Sequence, residues 1–317
     1  MDGFTACSGK VVRRDCRLKE LKLAATACRR KTVSGCINTF GEKMNQVYTQ
    51  VSIDQRGVAS LTLNRPEVHN AFDDLMIAEL IQVIDLLAAN SDVRLLLLNA
   101  NGKNFSAGAD LNWMRSMAEK NYQQNLDDAN ELAMLMHKLD KFPKPTVAVV
   151  QGAAFGGAVG LVACCDIAIA SDNASFCLSE VKIGLIPAVI SPYVMRALGE
   201  RQSRRYFLTA ERFSADTAKQ LGLLHEVTSA SELTEKADAL IDGLLQNSPA
   251  AISAAKTLIH NIYNRKISDN MVAHTTQAIA EIRVSAEGQE GLGAFLEKRR
   301  PNWLQNNAQA NAKLKDK

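Results

Sequence analysis

Three stretches carry residue types able to do chemistry. The middle one, residues 151–161 (QGAAFGGAVGL), sets Gly152, Gly156 and Gly157 between a short apolar run and the start of an apolar helix. Glycine has no Cβ, so a backbone N–H there can approach a ligand closely and point at it from a helix N-terminus. The same residues also suit a helix that merely packs tightly on a sheet, and the stretch alone does not choose. The earlier stretch, 104–111 (NFSAGADL), is a second small-residue turn behind an apolar run. Its Asp110, with Asn112, suits a helix cap. In the third, residues 175–187, a single carboxylate, Glu180, follows a short apolar run and precedes Gly184 and Pro187.

These turns need elements to hold them. Residues 48–53 and 57–63 alternate as two strands of a hairpin, and 64–71 break the pattern with a Pro turn. Residues 72–89 place Met76, Leu80, Val83 and Leu87 at helical spacing. Four consecutive leucines within 94–100 predict a strand buried on both faces, as in a parallel sheet covered by helices. A helix over 120–140 leads to Pro143, and 146–150 and 166–170 read as further buried strands, with a helix beginning at 160–165 between them. From Ser214 the pattern turns helical, over 215–221, 231–245, 250–263 and 269–286, with a boundary at Ser248-Pro249. The expectation is an α/β chain built as a spiral of strand–strand–helix units. Its C-terminal helices, 248–317, would dock on a partner subunit, leaving 44–247 as the core.

Composition narrows the function classes. The chain has 317 residues and is 47% hydrophobic, enough for a full core plus an appendage. No apolar run approaches the roughly 20 residues that span a bilayer, so no membrane partner is expected. Residues 1–43 hold ten Lys/Arg against four Asp/Glu, whereas the rest carries 27 against 30. A nucleic-acid-binding module working through the basic leader is opposed by that acidic body and by 5% aromatic content. Three readings of the leader stay open: a transit peptide, which would send the protein to the mitochondrial matrix, a disordered arm, or residues upstream of a true start at Met44. The regular pattern after Met44 favours the last, and with it a cytoplasmic protein. The cysteines include no CxxC, the five histidines are scattered, and neither a Walker A nor a dinucleotide fingerprint occurs, so no metal and no separate cofactor are expected. Seven thiols point to a reducing compartment, with Cys164, Cys165 and Cys177 as small core residues.

Taken together and in order, Ser106–Asp110, Gly152–Gly160 and Ser179-Glu180 with Gly184 and Ile186-Pro187 resemble the crotonase superfamily, the enoyl-CoA hydratase/isomerase family. Leu63-Asn64-Arg65-Pro66 with Asn70-Ala71, Leu208-Thr209-Ala210 and the tail 290–299 (EGLGAFLEKR) strengthen the match, which runs from about Val47 to Trp303. The resemblance implies an acyl-CoA substrate, whose coenzyme A is no separate cofactor, and a homotrimer or dimer of trimers. It also implies that the thioester carbonyl oxygen lies between the amides of Ala109 and Gly157, with Glu180 as the catalytic glutamate. Val68, Ala107, Asp110, Leu111, Gly156 and Gly160 would bind substrate, and Phe295 and Lys298 would reach the coenzyme site of a neighbouring subunit. Negative charge moves onto the thioester oxygen in such reactions, and one preorganised donor there is worth roughly 10²–10³ in rate.

The sequence departs from the family pattern in two places. Hydratases of this kind pair Glu180 with a glutamate three residues after the second oxyanion glycine, where this chain has Gly160. The glycine-rich run after Ile186-Pro187 is replaced by 188–192 (AVISP), and Ala188 stands where dienoyl-type isomerases keep an acid. Members with only the later glutamate include double-bond isomerases. The phrases GAAFGGAVGLVACCDIAIA, FCLSEVKIGLIPAVISPYV and RRYFLTAERF resemble instead a subgroup of methylglutaconyl-CoA hydratases of leucine degradation and hydratases of acyclic terpene degradation. The expected activity is therefore hydration of a branched 2-enoyl-CoA, with isomerisation by Glu180 as single acid/base the alternative. Glu180 would then both position water and deliver the proton, unless a carboxylate enters from the helix between Glu119 and Glu131. A substrate with a free distal carboxylate would call for a cation, for which Arg115, Lys182 and Arg196 are the candidates.

Overall fold

The computed structural model describes residues 48–304, which belong to one compact unit. The expectations for residues 1–43 and for Met44 lie outside the described residues. Nine strands appear in chain order: β1 (Thr49–Ile53), β2 (Val58–Leu63), β3 (Leu95–Ala100), β4 (Thr146–Val150), β5 (Ala153–Phe155), β6 (Ile167–Ser171), β7 (Ser175–Cys177), β8 (Phe213–Ser214) and β9 (Glu226–Thr228). A six-stranded sheet has the order β1-β2-β3-β4-β6-β9, and a smaller sheet the order β5-β7-β8. β1 and β2 form the expected antiparallel hairpin, and every later pair in the large sheet is parallel.

The four leucines of β3 show how the large sheet is covered. Leu96 and Leu98 face the main core together with Leu61, Ala148 and Ala168. Leu95 faces the other way, with Val58 and Val147, onto Ile241 and Leu245 of helix α8 (Leu233–Leu245). Side chains alternate along a strand, so a continuous apolar run is what two covered faces demand. On the main-core side pack α1 (Asp74–Ala89), α3 (Tyr122–Asp140) and α4 (Gly157–Cys164), which bring Leu80, Leu135 and Leu161 among others into that core. α2 (Leu111–Ala118) lies between α1 and α3 in the chain.

The structure corrects the sequence reading at several elements. The glycine turn at 151–161 contains β5, whose three residues are too short to show a period and are strand only because Ser175–Cys177 pairs with them. Two helices absent from that reading, α5 (Ser191–Leu198) and α6 (Glu200–Thr209), follow the third stretch, and α7 (Ala215–Gln220) begins straight after β8. The helix expected over 269–286 is two, α10 (Asp269–Val284) and α11 (Ala286–Leu296). Ser285 separates them, accepting from Gly288 N at 3.0 Å. Among the described residues, α9 (Pro249–Ile262), α10 and α11 bury only Lys256 and Ala294. Cys164, Cys165 and Cys177 are free and buried, and burial pushes the Cys165 thiol up to about 12.

Candidate active site

All three chemistry-bearing stretches leave the ends of strands and are stitched to one another by backbone hydrogen bonds. Ser106 N donates to Ala153 O at 3.0 Å and Phe155 N to Ser106 O at 3.1 Å, joining the first turn to the second. Gly156 N donates to Cys177 O at 2.8 Å, joining the second to the third. Gly108 (φ +92°) lies so near that a Cβ on it would fall 2.8 Å from Phe155 O, which only glycine avoids.

Phe72 organises the two amides. It pairs in parallel fashion with Ala109: Phe72 N donates to Gly108 O (2.9 Å) and Asp110 N to Phe72 O (3.0 Å). In such a pairing the amide of the intervening residue points the other way, so Ala109 N–H faces out of the turn. From Phe105 to Asp110 every other amide has an acceptor, Gly108 N taking Ser106 Oγ at 3.1 Å. The Phe72 ring, buried, packs under Gly157, where a Cβ would fall 2.6 Å from Phe72 Cζ. Gly157 is the first residue of α4, so its N–H has no intrahelical partner, and none of the described residues accepts from it. Two donors are thus uncommitted, one on each side of Phe72.

The first turn is held from behind. Asn70, buried in the left-handed region (φ 52°), donates from Nδ2 to Asn101 O (2.8 Å) and Asn104 O (2.9 Å) and accepts Arg65 N (2.7 Å). Asp110 spends one carboxylate oxygen capping α2 through Asn112 N (2.8 Å) and Trp113 N (3.4 Å). Its other oxygen faces Arg65 Nη2 at 3.4 Å. Its carboxylate positions the loop that presents Ala109.

Glu180 opens a 3-10 turn, Glu180–Ile183, closed by Gly184 in the left-handed region. Its Oε1 lies 3.2 Å from where a Cβ on Gly156 would be, so the carboxylate sits directly over the peptide leading into Gly157. Its Oε2 is buried with no hydrogen-bond partner in the structure. Burial raises the Glu180 carboxyl above its ordinary range, with a smaller opposing effect from its own backbone. An acid of this kind exchanges a proton nearer neutrality than an exposed glutamate does.

Val68, Ala107, Ala109, Asp110, Leu111, Gly156, Gly157 and Glu180 are brought into this one neighbourhood, Ala107 N donating to His69 O at 2.9 Å beside Val68. Gly160 does not line open space: it is buried, and a Cβ there would fall 2.3 Å from Ile190 Cγ2. Phe295 and Lys298 are not brought to Glu180 within the chain. Phe295 is 81% exposed at the end of α11, which packs on α9 and α10. Of the cation candidates, Arg196 is committed to Asp140, and Arg115 donates to Asn112 Oδ1 at 2.7 Å. Lys182, on the Glu180 turn, is exposed. In the 119–131 region Glu119 and Glu131 are exposed, Asp127 accepts from Gln123 and Asp128 pairs with Lys120.

Phe72 and Ile190 escaped the sequence reading, because their part lies in what they touch 30 to 85 positions away. So did Trp113, whose indole N–H, three residues past Asp110, is buried without a partner among the described residues.

The enoyl-CoA hydratase/isomerase family profile matches residues 54–306. An enoyl-CoA hydratase from Shewanella pealeana is 57% identical in a solved structure that superposes with a TM-score of 0.78, covering 81% of this chain and 96% of that one. The 2,3-dehydroadipyl-CoA hydratase of Escherichia coli is 31% identical over 78% of this chain and 96% of its own length. The trans-2-decenoyl-[acyl-carrier-protein] isomerase of Streptococcus mutans is 31% identical over 78% and 94%. Fold, paired amides, overlying glutamate and these likenesses agree: the chain belongs to the enoyl-CoA hydratase/isomerase family of the crotonase superfamily.

Proposed function

We propose that this chain adds water across the double bond of a branched 2-enoyl-CoA thioester of the methylglutaconyl type, with Glu180 as its one acid/base. The observation that carries the reading is the half-buried Glu180 carboxylate, its Oε2 buried and unpartnered among the described residues, lying over the peptide that leads to one of two uncommitted amides. The thioester oxygen accepts from Ala109 N–H and Gly157 N–H. Glu180 takes a proton from water as the hydroxyl oxygen bonds to C3, and the electron pair of the double bond moves onto the held oxygen as an enolate. Glu180 then returns that proton to C2, which regenerates the carbonyl and the carboxylate. One carboxylate suffices because the proton it removes is the proton it delivers.

A substrate ending in a carboxylate would find Lys182 exposed two residues past Glu180. The 2,3-dehydroadipyl-CoA hydratase named above bears a dicarboxylic substrate in its name, which agrees with that choice. The apolar residues Ile259, Val272, Val284 and Leu292 on α9–α11 are exposed among the described residues, which supports a homotrimer or dimer of trimers covering them. Phe295 and Lys298 would then serve a neighbour's coenzyme site.

A second reading, double-bond migration with Glu180 carrying a proton between C2 and C4, draws on the hydrocarbon packed against Gly160 in place of a second acid. The deciding experiment offers the purified protein short, branched and carboxylated enoyl-CoAs and separates products by mass and chromatography. A 3-hydroxyacyl-CoA from the branched substrate is the expected result. A migrated bond with no hydroxylated product assigns the isomerase, and no reaction with any of them refutes both.

A further inference from the structure

Two departures from the family pattern, Gly160 and the bulky 188–192 run, are one physical feature. Gly160 and Cys164 stand four residues apart on one side of α4, and Gly156 is the N-cap of that helix, four residues before Gly160 and outside helical geometry (φ 54°, ψ −124°). Gly156 faces the Glu180 carboxylate, Gly160 faces Ile190, and Cys164 Sγ lies 3.8 Å from Met136 Sδ. A Cβ at position 160 would sit 2.3 Å from Ile190 Cγ2, 2.8 Å from Ile190 Cβ and 3.2 Å from Met136 Sδ. Ile190 cannot swing aside cheaply. Its carbonyl accepts Tyr193 N (3.1 Å) and Val194 N (3.0 Å) to start α5, and its side chain is buried. The side of α4 that carries Gly160, four residues past the glycine that meets Glu180, is therefore hydrocarbon.

We propose that Ile190, seated on Gly160 with Met136 behind it, is the specificity-determining wall beside Glu180, setting the size of the acyl group and shutting a second acid/base out of position 160. This rests on the acyl-CoA reading of the site and assigns the residue that selects among acyl groups within it.

The test has a packing arm and a selectivity arm. In the first, unfolding midpoints are measured for Gly160→Ala, Ile190→Ala and the double variant. Each single change lowers the midpoint, and the double variant lies above the sum of the two, because truncating Ile190 makes room for the new Cβ. Additive effects overturn the seat. In the second, kcat/KM is compared across enoyl-CoAs of increasing bulk. Ile190→Ala shifts the preference toward bulkier acyl groups by about 10-fold or more, the scale of a methylene-sized change in a pocket, and Ile190→Val serves if the alanine variant does not fold. An unchanged profile in an active enzyme overturns the wall. Gly160→Glu alone is inactive, whereas Gly160→Glu with Ile190→Gly gains a second ionisation in its pH–rate profile. Turnover by Gly160→Glu alone also overturns the proposal. A wild-type chain inert toward every enoyl-CoA refutes the acyl-CoA reading instead, and with it the wall, while the midpoints report the seat separately.

Discussion

Replacing Glu180 by Gln separates chemistry from folding at one atom. The amide keeps the shape of the carboxylate and leaves the Ala109 and Gly157 donors in place, since both are backbone. Losing a positioned acid/base costs about 10²–10⁴ in rate, and with Glu180 the carboxylate that meets the turn at Gly156 among the described residues, the upper part of that range is expected. At roughly 1.4 kcal/mol per decade, that is about 4–5.5 kcal/mol of lost transition-state stabilisation, read as kcat falling while KM changes little. Stability should move the other way. Burial raises the Glu180 carboxyl, so the folded state holds its proton more tightly than the unfolded chain does. Such a group contributes fully below its unfolded value and loses that contribution as pH rises through the folded one. Above it the fold carries a half-buried charge with one oxygen unmet among the described residues, and an unmet polar group costs about 1–3 kcal/mol. Glu180→Gln should therefore match wild type in acid and exceed it in denaturation midpoint at pH 8. Loss of conjugated-enoyl absorbance follows the first effect, and urea unfolding at two pH values the second. Full turnover by the variant, or a pH-independent midpoint difference, refutes the reasoning.

Other residues give sharp outcomes. Gly157→Ala forces the Phe72 ring off the turn and misplaces a donor, so kcat should fall about 10²–10³-fold, and kinetics on a turnover substrate check it. Asn70→Ala removes three hydrogen bonds and a residue at φ 52°, with an expected cost of about 2–4 kcal/mol in urea unfolding. Lys256→Met strips the partly buried Asp166 of a 2.7 Å ion pair, while Thr146 still donates to that carboxylate; about 2 kcal/mol of stability should go, without change in KM. A thiol reagent should leave the peptides bearing Cys164, Cys165 and Cys177 unlabelled until the chain unfolds, and mass mapping reads this directly.

Local pattern carried a good deal. The hairpin, the four-leucine strand and the Asp110 cap were legible because each is decided by side chains a few positions apart, through alternation, burial on two faces or a carboxylate reaching its own helix. The order of the three turns was legible as a family resemblance, and with it the roles expected of Ala109, Gly157 and Glu180. What tertiary structure alone decided is contact across distance. β5 is strand because β7 lies beside it, Phe72 matters because its backbone flanks Ala109 while its ring supports Gly157, and Gly160 is glycine because Ile190 fills its place. Residue type determines what a position can do, and a lone glycine or isoleucine does many things. Only the fold, by bringing chain segments thirty or more residues apart within van der Waals reach, selects which of them it does here.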